Sequence, residues 1–279
     1  MTTKQLIASA VTVMTMLMTA NSAQAAENYY YDGMHSPNDA QALSKAKKIS
    51  NHDVTISHYD YANKTPYKAV GRVSNNDGWK GYGKDSMGTG FVVGPHTFLT
   101  NGHVIDRKNG QPAAAKEITF DMNRDGKNIP YHFHATKVIK VPQHDIAIVY
   151  TKENLAKYVQ PLKLASDSQI SHLKFNDRLY SLGYPWQFDG KKDDNTKAYW
   201  NKYRVLQRSG NGTEIQIKDK FRSGASGSPM VNNKYQVFGL RTYGYNLRGN
   251  SSGEYAKQEV AGGEAVNGFA GKYIKERIK

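Results

Sequence analysis

An imidazole, a carboxylate and a hydroxyl fall on three short motifs of the 279-residue chain: Thr100-Asn101-Gly102-His103-Val104, His144-Asp145-Ile146-Ala147-Ile148 and Gly224-Ala225-Ser226-Gly227-Ser228-Pro229. A serine hydroxyl is a poor nucleophile until a neighbouring imidazole takes its proton. The imidazole in turn needs an acid on its other nitrogen, which fixes the tautomer and stabilises the imidazolium formed during reaction. A tetrahedral intermediate needs donors aimed at its oxygen, and the backbone N–H groups of Gly224 and Ser226 in a Gly-x-Ser turn can supply them. Taken singly, a His after a strand, an Asp opening a strand and a Gly/Ser loop are ordinary turn, cap and linker residues. Their joint occurrence in the order His, Asp, Ser, each beside a strand-like run, points to nucleophilic acyl transfer. Ser226 would attack, His103 would carry the proton and Asp145 would orient His103, with no cofactor and no metal.

Such groups need rigid elements behind them. Strand-like pieces bounded by turn residues run through the chain: Gly90–Val93, Thr97–Thr100, Asp145–Tyr150, Arg178–Leu182, Ile215–Ile217 and Gln236–Leu240. Between residues 151 and 177 these signals fade into a polar connection, which divides the body into two halves. His103 and Asp145 lie in the first half and Ser226 in the second, so the site is expected in the cleft between two β domains. From Phe269 to Lys279, Phe269, Tyr273, Ile274 and Ile278 recur near helical spacing, with basic residues in the last turn. An all-β body closed by a C-terminal helix is expected.

The N-terminus carries an address. Lys4 precedes an apolar stretch from Leu6 to Ala20 and then Ala23-Gln24-Ala25, the layout of a signal peptide cut after Ala25. The expected organisation is a signal peptide over 1–25, a helical or disordered pro-segment over 26–53, an N-terminal β unit over 54–160 and a C-terminal β unit with the helix over 161–279. The expected product is secreted, extracellular and monomeric, and has no membrane attachment once the signal is removed. No cysteine is present, and a chain this long can build its core without disulfides. A net charge of +14 fits several anionic partners. Lys and Arg are scattered and no nucleic-acid-binding motif accompanies them, so protein or peptide substrates are expected and nucleic acid is not.

Two further signals stay structural. Asp121–Gly126 opens like a calcium loop, but its twelfth position is His132 rather than Glu, and it reads as a surface turn. His144 would point to the opposite strand face from Asp145 and is not exchanged for His103.

Gly88-Thr89-Gly90-Phe91-Val92-Val93-Gly94, Leu99–Val104, Asp145–Ile148, Gly183-Tyr184-Pro185 and Gly224–Pro229 together resemble the glutamyl endopeptidase and exfoliative-toxin branch of the chymotrypsin-fold serine proteases. The resemblance runs in register from about Tyr67 to the C-terminal helix. It implies two six-stranded antiparallel β-barrels with the triad between them, a secreted serine endopeptidase, and a preference for Glu or Asp before the cut. Glutamate-cleaving members have a Gly-Ile-His pattern after the nucleophile, where this chain has Gly239-Leu240-Arg241-Thr242. Phe221 stands where a threonine usually helps. Arg241 is the expected partner of an acidic side chain, through its permanent charge and bidentate geometry. Phe221 and Thr242 are the neighbouring substrate-binding positions. The same resemblance places maturation near Ile49 to Val54. A toxin-like protease with one narrow target, or a silent homologue that binds anionic surfaces, stays open beside this expectation.

Overall fold

The runs that read as strands are strands, and further ones join them to close two barrels. The structure, a computed structural model, describes residues 36–59, 65–78, 86–185, 195–246 and 258–279; the expected signal segment lies outside these. The described chain opens with helix α1 (Ser36–Lys47) and strand β1 (Thr55–His58). The first barrel follows, made of β2 (Val70–Asn75), β3 (Ser86–Gly94), β4 (Thr97–Thr100), β5 (Ile118–Met122), β6 (Tyr131–Lys140) and β7 (Ala147–Thr151). It closes in the order β2-β3-β4-β7-β6-β5, all antiparallel. Val73, Val92, Phe98, Phe120 and Val149 share the inward strand face and fill it, with Phe98 stacked on Phe120. A four-residue helix, α2 (Gly102–Ile105), leaves the end of β4.

The polar connection contains a short helix, α3 (Asp167–Ser171), begun by a Ser166/Gln169 capping box. The second barrel comprises β8 (Arg178–Gly183), β9 (Tyr199–Arg208), β10 (Glu214–Lys218), β11 (Pro229–Val231), β12 (Val237–Asn246) and β13 (Gln258–Ala265). Its ring runs β8-β9-β10-β13-β12-β11 and closes where Val231 of β11 meets Tyr180 of β8. Helix α4 (Gly268–Lys275) follows. The residues after it return to the first barrel, where the Tyr150 hydroxyl donates to the Arg277 carbonyl and Lys279 N–H donates to Thr97 Oγ1. The two barrels and the C-terminal helix are those expected of a chymotrypsin-like fold.

Part of the N-terminal β unit expected over 54–160 joins the other barrel. Residues 55–58 belong to the second barrel, because β1 pairs antiparallel with Tyr199–Lys202 of β9. β10 pairs with β9 only from Arg204 to Arg208, so the other half of β9 has an edge to cover, and β1 covers it. The segment before β1 is also built into that barrel. Ala42, Ala46, Ile49 and Val54 are buried in the core. The buried Lys218 ammonium donates to the carbonyls of Ala46 and Ile49 at 2.9 and 2.7 Å, satisfying carbonyls that a helix end leaves open. Asp53 also binds Arg204 of β9 at 2.9 Å.

Candidate active site

Each of the three motifs lies just outside a strand, where the backbone can turn a side chain into the cleft. His103 is carried by α2, directly after β4. Asn75 of β2 holds the end of this helix, donating to the carbonyls of Val104 and Asp106 at 3.1 and 3.0 Å. Asp145 sits in the tight turn before β7, closed by Val141 N–H to the Ile146 carbonyl at 2.9 Å. Ser226 lies on the turn before β11, between Gly224 at φ +95° and Gly227 at φ +86°. Only glycine enters that region without strain, and a Cβ at Gly224 would run into the Tyr184 carbonyl and Asn195.

The structure brings His103 and Asp145 into direct contact. Asp145, wholly buried, accepts His103 Nδ1–H at 2.6 Å on one oxygen and His103 backbone N–H at 2.8 Å on the other. Two bonds to one carboxylate fix both the ring and the peptide that carries it, leaving Nε2 directed away from the acid. Burial alone would pull the His103 imidazole down. The Asp145 charge and hydrogen bond, aided by Asp106, outweigh burial and the opposing Arg241 charge, so the group lies above its ordinary 6.5.

Ser226 joins the pair through Asn101 and Thr242. Asn101 Nδ2 donates to the Asp145 carbonyl at 2.6 Å and to Thr242 Oγ1 at 2.9 Å. The Ser226 hydroxyl donates to the Thr242 carbonyl at 3.2 Å. The approach is tight from a second direction: a Cβ on Gly88 would lie 2.6 Å from a Val104 methyl and 3.0 Å from the Ser226 carbonyl oxygen. Among the described residues, the N–H groups of Gly224 and Ser226 donate to no protein acceptor. Two free donors on a glycine-framed turn beside a hydroxyl suit an oxyanion.

Sequence reasoning gave Thr89 no role, yet it holds this turn to the first barrel. Its N–H donates to the Ser226 carbonyl (2.7 Å), its hydroxyl donates to the Gly224 carbonyl (2.9 Å), and it accepts Tyr184 N–H (3.0 Å). Thr100 Oγ1 binds the Thr89 carbonyl at 2.7 Å. The two glycines flanking Thr89 were the available signal, since small residues in a strand mark close backbone approach. Asn101 and Asn75 carried no signal beyond their place near the motif.

The expected substrate-binding positions are placed differently. Arg241 is 3% exposed, and its guanidinium is already engaged: Nε donates to the wholly buried Asp219 at 3.2 Å and Nη2 to the Phe221 carbonyl at 2.9 Å. An incoming carboxylate would compete with Asp219, so Arg241 is not a free acid reader. Asp219, seven residues before the nucleophile, was not weighed as its partner. Phe221 packs with Tyr199, Ala225 and Ile56 and exposes no surface. Thr242 acts through its backbone and hydroxyl on Ser226 and Asn101. All three therefore build the wall behind the nucleophile. Asp121 of the calcium-like turn binds Arg124 and His132 at 2.7 and 2.6 Å.

A two-barrel serine hydrolase with a His–Asp pair and a glycine-framed serine turn is the class that fold and site define. Residues 88–240 match the trypsin-like peptidase domain family, and the chain belongs to that family. Solved structures agree on the fold. A Glu endopeptidase determined in complex with MPD is 18% identical with a TM-score of 0.62, the match covering 79% of this chain and 95% of that one. The protease Anisep from Arthrobacter nicotinovorans is 17% identical with a TM-score of 0.59, covering 78% and 96%. The thermostable serine protease AL20 from an extremophilic microorganism is 16% identical with a TM-score of 0.57, covering 75% and 98%.

Proposed function

We propose that the protein is a secreted serine endopeptidase working through Ser226, His103 and Asp145. The observation that carries this is the double acceptance of His103 by Asp145, at 2.6 and 2.8 Å, beside a serine turn whose Gly224 and Ser226 N–H groups have no protein acceptor among the described residues. Ser226 Oγ attacks the scissile carbonyl carbon while His103 takes its proton. The oxyanion forms against the N–H groups of Gly224 and Ser226. The C–N bond then breaks as His103 returns the proton to the departing amine, leaving an ester on Ser226. Water, deprotonated by the same imidazole, attacks that ester. Its C–O bond breaks and Ser226 regains a proton.

The finer parts of the proposal have their own supports. Secretion rests on the Lys4 to Ala25 signal pattern. A place in the glutamyl endopeptidase and exfoliative-toxin branch, with Glu or Asp before the cut, rests on the motif resemblance, the net charge of +14 and the shared fold of a Glu endopeptidase. Arg241 does not supply the charge for that preference, because Asp219 holds it. The test is a cleavage map of a mixed peptide library with the secreted protein beside its Ser226→Ala variant. Cuts that vanish in the variant support the peptidase, and their preceding residues report the preference. Equal cutting by both proteins refutes Ser226 as nucleophile, and cuts spread evenly over all residue types refute the acidic preference.

A further inference from the structure

The turn that presents Asp145 also carries His144, which the proposed chemistry leaves unused. Its Nδ1 lies 2.8 Å from Glu264 Oε2, and both side chains are buried, at 7% and 1% exposure. Glu264 stands on β13 of the second barrel, opposite Leu240 of β12. One acid from the second barrel thus holds the ring of His144, the residue before Asp145 on a turn of the first. Phe269 of α4 stacks over the His144 ring at 6.2 Å and 17°, covering the pair from the outside.

Asp145 is bound at several points: its carboxylate oxygens hold His103 and its carbonyl accepts Asn101. A carboxylate in the interior is expensive unless its lone pairs are satisfied. The sequence places Glu264 there although its strand neighbours Val260, Ala261 and Ala265 are small and apolar. Burial, aided by the Asp145 charge, pushes the Glu264 carboxyl up, while the bond from His144 and its charge oppose that.

We propose that Glu264 and His144 form a second carboxylate–imidazole pair that positions Asp145, and through it the His103 ring, from across the barrel interface. Neither residue touches substrate. Glu264 holds the His144 ring, and His144 carries the peptide that leads into the acid. This rests on the serine-peptidase proposal for its kinetic consequence but not for its structural one.

The test has two arms. In the Ser226→Ala protein, which needs no turnover, proton NMR reads the low-field His103 Nδ1–H held by Asp145, and the His103 titration midpoint. The charged groups facing His103 are Asp145, Asp106 with its Lys140, and Arg241 with its Asp219. Glu264→Gln, which keeps the volume, should move the low-field resonance upfield or broaden it into exchange with solvent, and lower the midpoint. His144→Leu should do the same, and His144→Asn, which keeps a donor towards Glu264, should restore it. In the Ser226-intact protein, Glu264→Gln should lower kcat roughly ten- to a hundredfold with KM unchanged, the penalty of a small misplacement at the reacting groups. If Glu264→Gln does not fold, the two His144 variants decide by the same resonance. An unchanged resonance and midpoint in folded variants would overturn the proposal and leave the pair as an interface clasp. Absent turnover with a shifted resonance would count against the peptidase assignment alone.

Discussion

Replacing Thr89 by valine keeps the shape of a wholly buried side chain and removes one oxygen. That oxygen donates to the Gly224 carbonyl at 2.9 Å and accepts Tyr184 N–H at 3.0 Å. The substitution therefore leaves two buried backbone groups without partners, at about 1–3 kcal/mol each. Allowing for some relaxation, unfolding free energy should fall by about 3 kcal/mol, roughly a hundredfold in the folding constant. With a urea slope of about 1–3 kcal/mol per molar, the midpoint should drop by at least about 1 M. Activity should fall as well, because the Gly224 peptide is one of the two proposed oxyanion donors. Losing a donor outright lowers kcat by about 10²–10³, so losing only its anchor should lower it by about tenfold. Thr89→Ser keeps the hydroxyl and should retain most of both properties. A Thr89→Val protein within about 0.5 kcal/mol of the parent, the range of inert surface changes, would refute the staple.

Arg241→Ala should destabilise the fold by about 3–5 kcal/mol, since it breaks a buried ion pair with Asp219; a thermal melt matching the parent, with changed cleavage preference, would return Arg241 to substrate reading. The acid limb of kcat/KM should have its midpoint above 6.5, because His103 must be neutral to act and its folded value is raised. The stability drawn from the His103–Asp145 pair has its own pH sense: fully present below the unfolded imidazole value, lost as pH rises through the raised folded value. A rate midpoint below 6.5 would contradict the environment described for the ring. Lys218→Met removes the ammonium from the carbonyls of Ala46 and Ile49. Hydrogen-exchange protection in α1 should fall at least about tenfold, given about 1.5–3 kcal/mol for bonds to a charged group; unchanged protection would show that the apolar contacts alone hold the helix.

Much of the site was legible because its chemistry demands particular residue types at strand ends. His103, Asp145 and Ser226 each sit in a short polar break beside an apolar run, and those runs became β4, β7 and β11. The strands that escaped notice lack that contrast. β13 contains Val260-Ala261-Gly262-Gly263, too small and glycine-rich for a strand pattern. β9, Tyr199 to Arg208, mixes charged and aromatic residues because it serves three neighbours along its length. Long-range partnerships were the other loss. Asp219 with Arg241, Glu264 with His144 and Lys218 with α1 join residues whose separation along the chain carries no pattern. The packing of the expected pro-segment was hidden for a related reason: its polar composition masks Ala42, Ala46, Ile49 and Val54, which are buried in the core. Arg241 is expected at a pocket from its charge and Phe221 from its position, and only packing reveals how deeply both are buried.

The central claim is that Ser226 is a nucleophile activated by His103, and covalent labelling tests it most directly. The secreted protein would be treated with a fluorophosphonate at neutral pH, digested and mapped by mass spectrometry. One phosphonyl adduct on Ser226 is predicted, abolished in Ser226→Ala and slowed by several orders of magnitude in a folded His103→Ala variant. Labelling elsewhere, or at an unchanged rate without His103, would contradict the account.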